Sequence, residues 1–518
     1  MLEVFLTFLV TAAIYCYRRF TTKAADGILV LRPLVSPLSA IGFMFRNHDI
    51  LNPGGGWSWR ARQAAYGNYQ HDMVAFFPLL PFSRGGEYHI SSLEVMKQVW
   101  GNDSHAHHIK PRDLTLVRLF GESVASGGGD SWRRHRRVVA PTINSATLKT
   151  VWYAARRVVR EMFVEEKWDE REQMCIKNIH PLLLKLTLAA LCETLFGVRA
   201  SWSSAMDDSH QFKESLRIVS ESLVPRLVLP TWVYGLTAKL RVINEAWTGV
   251  ISYVSTSIET AKTTQEEDTT TGKQSVLDLL AASALGPSSK YTLSNRETIA
   301  NVFTLLFAGH ETVASTLLTT LAYLAIHQDE QQAAYKEIHN AFPSGVSNDG
   351  LQDYDQCIRL THTLHCFWEA QRLLPTSFFM PRELTQDFVV TVSRPEPATV
   401  VLKKGDVIIA DLVAIFRNPH DYDDPEAFRP TRWDGVSEHD FPGFGYGPRI
   451  CAGRKLAQTV GLAVLATVLQ DWRVEPLLRG GESVQQYEER VVRQVASVGT
   501  SWVFEEAPLK FSKRLSTS

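Results

Sequence analysis

Cysteine is scarce. The six in 518 residues, at positions 16, 175, 192, 357, 366 and 451, are too few and too irregularly spaced for a disulfide scaffold, which points to a reducing compartment. Net charge is nearly absent as well. With 54 Lys plus Arg against 55 Asp plus Glu the formal charge is −1, so no basic field gathers nucleic acid, and no nucleic-acid partner is expected. A GxGxxG nucleotide fingerprint, a flavin domain and a phosphate loop are also missing. Gly54-Gly-Gly56 and Gly127-Gly-Gly129 lack the Lys-Ser/Thr ending and read as turns. No zinc-ligand spacing accompanies His105-Ala-His107-His108. What remains is ordinary globular composition, 45% apolar and 21% charged, which excludes a disordered or fibrous chain.

Leu2 to Tyr17 is apolar but for Glu3 and two threonines, and it runs into Arg18, Arg19 and Lys23. The run is shorter than the ~20 residues of a full span, yet flanking arginines can snorkel and the bilayer can thin. Its positive charge follows the apolar stretch and no small-residue cleavage site appears, so residues 1–20 read as an N-terminal membrane anchor rather than a cleaved signal. Residues 21–518 then form a catalytic domain in the cytoplasm, where Asn102 stays unglycosylated. Strand signals fall over 74–92 and 387–410, the latter as strands with a glycine turn at Gly405. Helical period marks 147–165, 175–195, 205–222, 240–262, 295–326, 329–341, 357–374 and 454–471. Thr263 to Lys273 is a polar connector. The fold class is mainly α with a minor β part.

One helix is unusually long. It opens on the capping-box pattern Ser294-Asn-Arg-Glu297 and runs without proline to Ile326. Its middle, Ala308-Gly309-His310-Glu311-Thr312, places a glycine and three polar residues where the core should be driest. The second unusual segment is Phe444-Gly-Tyr-Gly447-Pro-Arg449-Ile-Cys451-Ala-Gly453-Arg454. Glycines there allow close backbone approach, and the cysteine falls at a helix N-terminus, where the dipole favours thiolate. A lone cysteine in such a turn is ordinarily just buried.

The pattern FxxGxRxCxG resembles the haem-ligand loop of the cytochrome P450 family. That resemblance implies a cytochrome P450 fold with haem b between the long helix and the cysteine loop, and Cys451 as axial ligand of the iron, with Phe444 shielding the sulfur and Gly453 lining the loop. Glu369-Ala-Gln-Arg372 is similar to the family's ExxR pair, with Arg432 of Phe428-Arg-Pro430-Thr-Arg432-Trp433 as its partner, a structural triad. Trp132 and Arg136 match the WxxxR segment. Together with Arg382 and Arg449 they are the implied partners of the haem propionates, which need cationic hydrogen-bond donors when buried. Ala308-Gly309-His310-Glu311-Thr312 resembles the oxygen-binding segment, in which Gly309 makes room for dioxygen while Glu311 and Thr312 relay protons. By residue type alone, Thr312 would bond back to its own helix and Glu311 would be an exposed acid.

The resemblance covers roughly residues 27 to 510. It departs from the family in a proline hinge thinned to Pro33, Pro37 and Pro53, and in Phe416 where relatives often carry histidine. The pocket wall is expected from Leu116, Leu119, Phe120, Leu305, Ala308, Thr376 to Phe379 and Val498 to Thr500, largely apolar, which implies a lipophilic substrate. Val224 to Tyr234 is either core or a segment dipping into the bilayer. Electrons are implied to come from NADPH through a separate NADPH-cytochrome P450 reductase, with Arg133, Arg134 and Arg137 as a candidate basic docking surface. The implied activity is insertion of one atom of O2 into a secondary metabolite such as a terpenoid, as in fungal microsomal members of the endoplasmic reticulum membrane. Two other readings share the fold: an isomerase or dehydratase working without O2, and a haem sensor. Gly309, Glu311 and Thr312 favour oxygen activation.

Overall fold

The computed structural model describes residues 17, 20–21, 28–36, 57–79, 86–101, 108–111, 121–199, 201–202, 208–222, 226, 229–267, 274–285, 291–343, 353–498 and 501–514. Nearly all of the expected anchor lies outside them, as do Asn102, His105, His107, Gly54 to Gly56, Leu116, Leu119 and Phe120. Helices dominate, with a few small sheets. The chain divides into two compact units. One comprises Met1–Thr115, Ser377–Ala427 and Pro442–Ile450; the other comprises Leu116–Thr376, Phe428–Phe441 and Cys451–Ser518.

The first unit is built on a six-stranded mixed sheet. Its strands run in the order Leu29–Leu31, Met73–Phe76, Glu87–Ile90, Val407–Asp411, Phe379–Leu384, His108–Ile109. Met73–Phe76 is buried at every position, as a strand covered on both faces must be. Residues 387–410 hold three strands, and they do not form one sheet. Phe388–Val392 and Ala398–Leu402 make a two-stranded hairpin, in which Val390, Val392, Val400 and Leu402 are buried while Val389 and Val401 face out, the period-2 pattern of a half-covered pair. Gly405 turns the chain at φ +88, and the next strand leaves the hairpin to pair with Glu87–Ile90 and Phe379–Leu384. The Asp406 carboxylate steers that exit, accepting from Lys403 N at 2.8 Å and from Gly86 N at 3.0 Å.

Five helices of the second unit carry the candidate site: α1 Gly129–Val139, α2 His180–Phe196, α3 Asn295–Ile326, α4 Thr361–Leu373 and α5 Arg454–Asp471. The capping box at Ser294 and Glu297 is formed in both directions. Among the described residues α3 is the one helix long and apolar enough to cross a membrane, but 78% of its apolar window is buried inside the protein, the mark of a core helix. It packs on α2, whose Leu183, Leu186, Leu191 and Leu195 are buried; each contributes roughly 1.5–3 kcal/mol. The helical period over 175–195 misplaces its start. Gln173–Ile176 is a strand paired with Leu509–Lys513. The helix begins only at His180, where Asn178 Oδ1 accepts from the His180 N–H at 3.0 Å and Pro181 occupies the first turn. Residues 357–374 likewise split, into a 3-10 turn Asp353–Arg359 and α4. The helix Ala238–Glu267 runs into the expected connector before residue 268.

Candidate active site

In the second unit the Cys451 thiol is exposed, two residues ahead of Gly453, the N-cap of α5. A Cβ at Gly453 would lie 3.9 Å from the Cys451 sulfur, in ordinary contact with the thiol. Arg136 on α1 lies within the field of that sulfur. Burial pulls its guanidinium below the ordinary value, the Cys451 sulfur opposes the fall, and Arg454 adds to it. Trp132, 8% exposed, precedes Arg136 by one turn on the same face. Gly127 permits the entry to α1, because a Cβ there would meet Ser123 O at 3.0 Å and Trp132 N at 3.2 Å.

The first unit holds a pair of arginines. Arg382 is 4% exposed. Its Nη1 donates to Pro381 O at 2.8 Å, and its guanidinium stands 5.5 Å from the centre of the Trp100 ring. Its Nε is buried without a hydrogen-bond partner. Its electrostatic neighbour is another cation: burial, and then Arg449, pull Arg382 down to about 9. A buried cation with a half-buried one as its neighbour is costly unless an anion joins them, and the pair is suited to receive one. Gly447 makes the loop leading to Arg449 possible. At φ +67 its Cβ would fall 2.0 Å from Trp100 O, a position open to glycine alone. Phe444 is half-buried at the end of the short turn Pro442–Phe444.

On α3 the burial run is interrupted at residues 307–309 and again at Thr312. Leu305 is buried, Ala308 exposed and Thr312 half-buried, at spacings that share one helical face. The Thr312 hydroxyl donates to Ala308 O at 2.5 Å, the back-bond its residue type favours. Glu311 is buried, 8% exposed. Gly309, expected to make room for dioxygen, also lets α2 approach α3. Its Cβ would meet Leu191 Cδ1 at 3.0 Å, because one residue turns the helix by about 100° and points that position at α2. The His310 carbonyl receives the Thr187 hydroxyl at 3.0 Å. Burial pushes His310 down to about 4, and burial with His310 as neighbour does the same to His180.

Glu369, Arg372 and Arg432 meet in the core. Arg372 donates to both Glu369 oxygens at 2.9 and 2.8 Å, and Arg432 Nε donates at 2.8 Å. Two donors that motif reading missed complete the shell: Arg429 N at 2.9 Å and Trp433 Nε1 at 3.0 Å. Of the remaining expected wall, Thr376 is buried, and Val498 lies in the strand Val495–Val498 with its side chain outside the described set. The proposed basic docking patch is largely engaged internally. Arg134 pairs with Glu297, Arg133 with Asp130, and Arg137 lies 4.3 Å over Tyr291. Sequence reading also missed Trp100, whose ring lies against the Arg382 guanidinium and which no local motif marks.

The cytochrome P450 family profile matches residues 82–496. The chain is 27% identical over 484 residues to cytochrome P450 monooxygenase 124 of Postia placenta, covering 91% of this chain and 92% of that one. It is 25% identical to cytochrome P450 monooxygenase ORF6 of Penicillium roqueforti, over 78% of this chain and 76% of the other. It is 24% identical to cytochrome P450 3A9 of Rattus norvegicus, over 75% and 76%. The chain belongs to the cytochrome P450 family. With that membership come monooxygenase chemistry, a haem cofactor, O2 and a redox partner. Each unit holds residues that fit such a cofactor: in the second, an accessible thiol with a cation near it; in the first, the buried Arg382 with its orphaned N–H, in the field of Arg449.

Proposed function

We propose that this protein is a membrane-anchored monooxygenase of the endoplasmic reticulum that places one oxygen atom from O2 into a lipophilic secondary metabolite of terpenoid type. NADPH supplies the electrons through a separate cytochrome P450 reductase. The haem, held by Cys451, supplies oxygen activation, which thiolate ligation favours. Arg136 and Trp132 of α1, and Arg382 with Arg449, hold its propionates; the orphaned Arg382 Nε beside Arg449 is the observation that carries this reading. Phe444 and Gly453 shape the surroundings of the sulfur, and Glu369, Arg372 and Arg432 keep the supporting core rigid.

Glu311 and Thr312 move protons. Thr312, whose hydroxyl donates to Ala308 O, and the buried Glu311 carboxyl would hold and pass protons to the site once haem and O2 are bound. Leu305, Ala308 and Thr376, with Phe120 and Val498, form the apolar wall that positions substrate and excludes water. Membrane contact draws on residues 1–20 and on Trp232 and Leu236, which are 70% and 66% exposed beside the exposed Lys239 and Arg241. The test is turnover of a terpenoid panel by haem-loaded protein with reductase and NADPH. Oxygenated product that depends on reductase supports the reading. Rearranged product formed without reductase or O2 contradicts it.

A further inference from the structure

Asn301, buried on α3 at 0% exposure, bonds to its own helix and to two other pieces of chain. Its Oδ1 accepts from Val124 N at 2.8 Å. Its Nδ2 donates to Glu297 O at 2.7 Å and to His135 Nδ1 at 2.8 Å. The first two bonds fix the amide's orientation, since a backbone N–H can only donate and a backbone carbonyl can only accept. His135 Nδ1 must therefore be an acceptor. The imidazole proton then sits on Nε2, which points toward Glu297 Oε1 at 3.5 Å and has no hydrogen-bond partner of its own.

That tautomer decides between two uses of the cluster. Ligand atoms of Glu122, His135 and Glu297 lie within 4.8 Å of one another, close enough to share a metal ion. Metal binding at Nε2 would require the proton to move to Nδ1, where it would face the Asn301 N–H. Arg134 already occupies the Glu297 carboxylate. The same conflict arises on protonation: an imidazolium carries N–H at both nitrogens, and the one at Nδ1 destroys the bond to Asn301. The cluster is a joint that acid opens.

The joint matters because α1 carries Trp132 and Arg136 on either side of His135. Resting on the haem assignment above, we propose that Asn301 is a positioning residue: through the neutral ring of His135 it fixes α1 against α3, and so sets how tightly Arg136 and Trp132 retain the cofactor, with acid loosening the hold. The groups facing the ring are Glu297 on α3, Glu122 on the preceding loop and Arg134 on α1 itself. The two carboxylates favour protonation, while burial, the largest effect, and Arg134 oppose it, so the ring stays below the ordinary histidine value of 6.5. The loosening therefore sets in below that value.

The test is transfer of haem from the loaded full-length protein to an excess of an apo-globin scavenger, across about pH 5 to about pH 8. Asn301→Ala should release haem about tenfold faster at neutral pH, the scale of one lost buried hydrogen bond. His135→Asn keeps a δ-position acceptor and cannot titrate; it should release haem at the wild-type neutral rate without the wild-type acceleration in acid. Wild-type rates in Asn301→Ala at every pH, or an unaltered acid profile in His135→Asn, overturn the proposal. Amide hydrogen exchange over residues 129–139 is the second measurement, and it does not need haem. It should quicken in Asn301→Ala, and unchanged protection overturns the latch. Failure of the haem assignment is distinguishable, because Arg136→Ala would then release haem at the wild-type rate while the exchange result still stood.

Discussion

Glu369 and Arg372, one turn apart on α4, form a two-bond ion pair in which neither side chain has any solvent exposure. Arg432 and the Trp433 indole close the remaining lone pairs. Such a pair contributes little against an apolar alternative, but removing one partner leaves a buried charge uncompensated. Glu369→Gln should therefore cost about 3–5 kcal/mol, read as a fall in the denaturant midpoint and in soluble yield. An unchanged midpoint would contradict the network's role.

Thr312→Ala removes a hydroxyl that bonds only within its own helix, so the fold should hold. Haem content and the reduced CO spectrum should stay wild type, while NADPH consumption uncouples from product and hydrogen peroxide accumulates. Coupling equal to wild type would remove Thr312 from the proton path.

Gly447→Ala places a methyl group 2.0 Å from Trp100 O, and that carbonyl is backbone that cannot rotate away. The loop to Arg449 should shift at a cost of about 1–3 kcal/mol, and the variant should purify with substoichiometric haem. Full haem content would show that the loop tolerates the displacement.

His180 and His310 are held neutral by burial at about 4, against an ordinary 6.5. Their folded values lie below the unfolded one, so the unfolded chain takes up protons first as pH falls. Stability is lost progressively from about pH 6.5 to about pH 4, by up to roughly 3 kcal/mol for each ring. Thermal midpoints should fall across that window, and His310→Gln should flatten the slope. An unaltered slope in that variant would assign the acid sensitivity elsewhere.

Motifs made of neighbours in sequence were legible. The Ser294–Glu297 capping box and the proline-free apolar run delimit α3 at the residues where it begins and ends, because both signals are local. The ExxR spacing placed Glu369 and Arg372 together for the same reason. Pairings between distant segments were not legible. Gln173–Ile176 is a strand only because Leu509–Lys513 reaches it, and the Arg382–Arg449 repulsion acts between a sheet strand and a loop more than sixty residues on. The direction of Gly309 toward Leu191 depends on where α2 lies, which helical periodicity does not encode. Asn301 looked like any polar residue near a helix start until His135 and Val124 were brought to it.

The most direct measurement is the absorption spectrum of the reduced, CO-bound protein, wild type beside Cys451→His. Wild type should show the strongly red-shifted Soret band of thiolate ligation, and the variant should bind haem without it. A wild-type protein lacking that band, or a variant retaining it, would contradict the assignment of Cys451 to the iron.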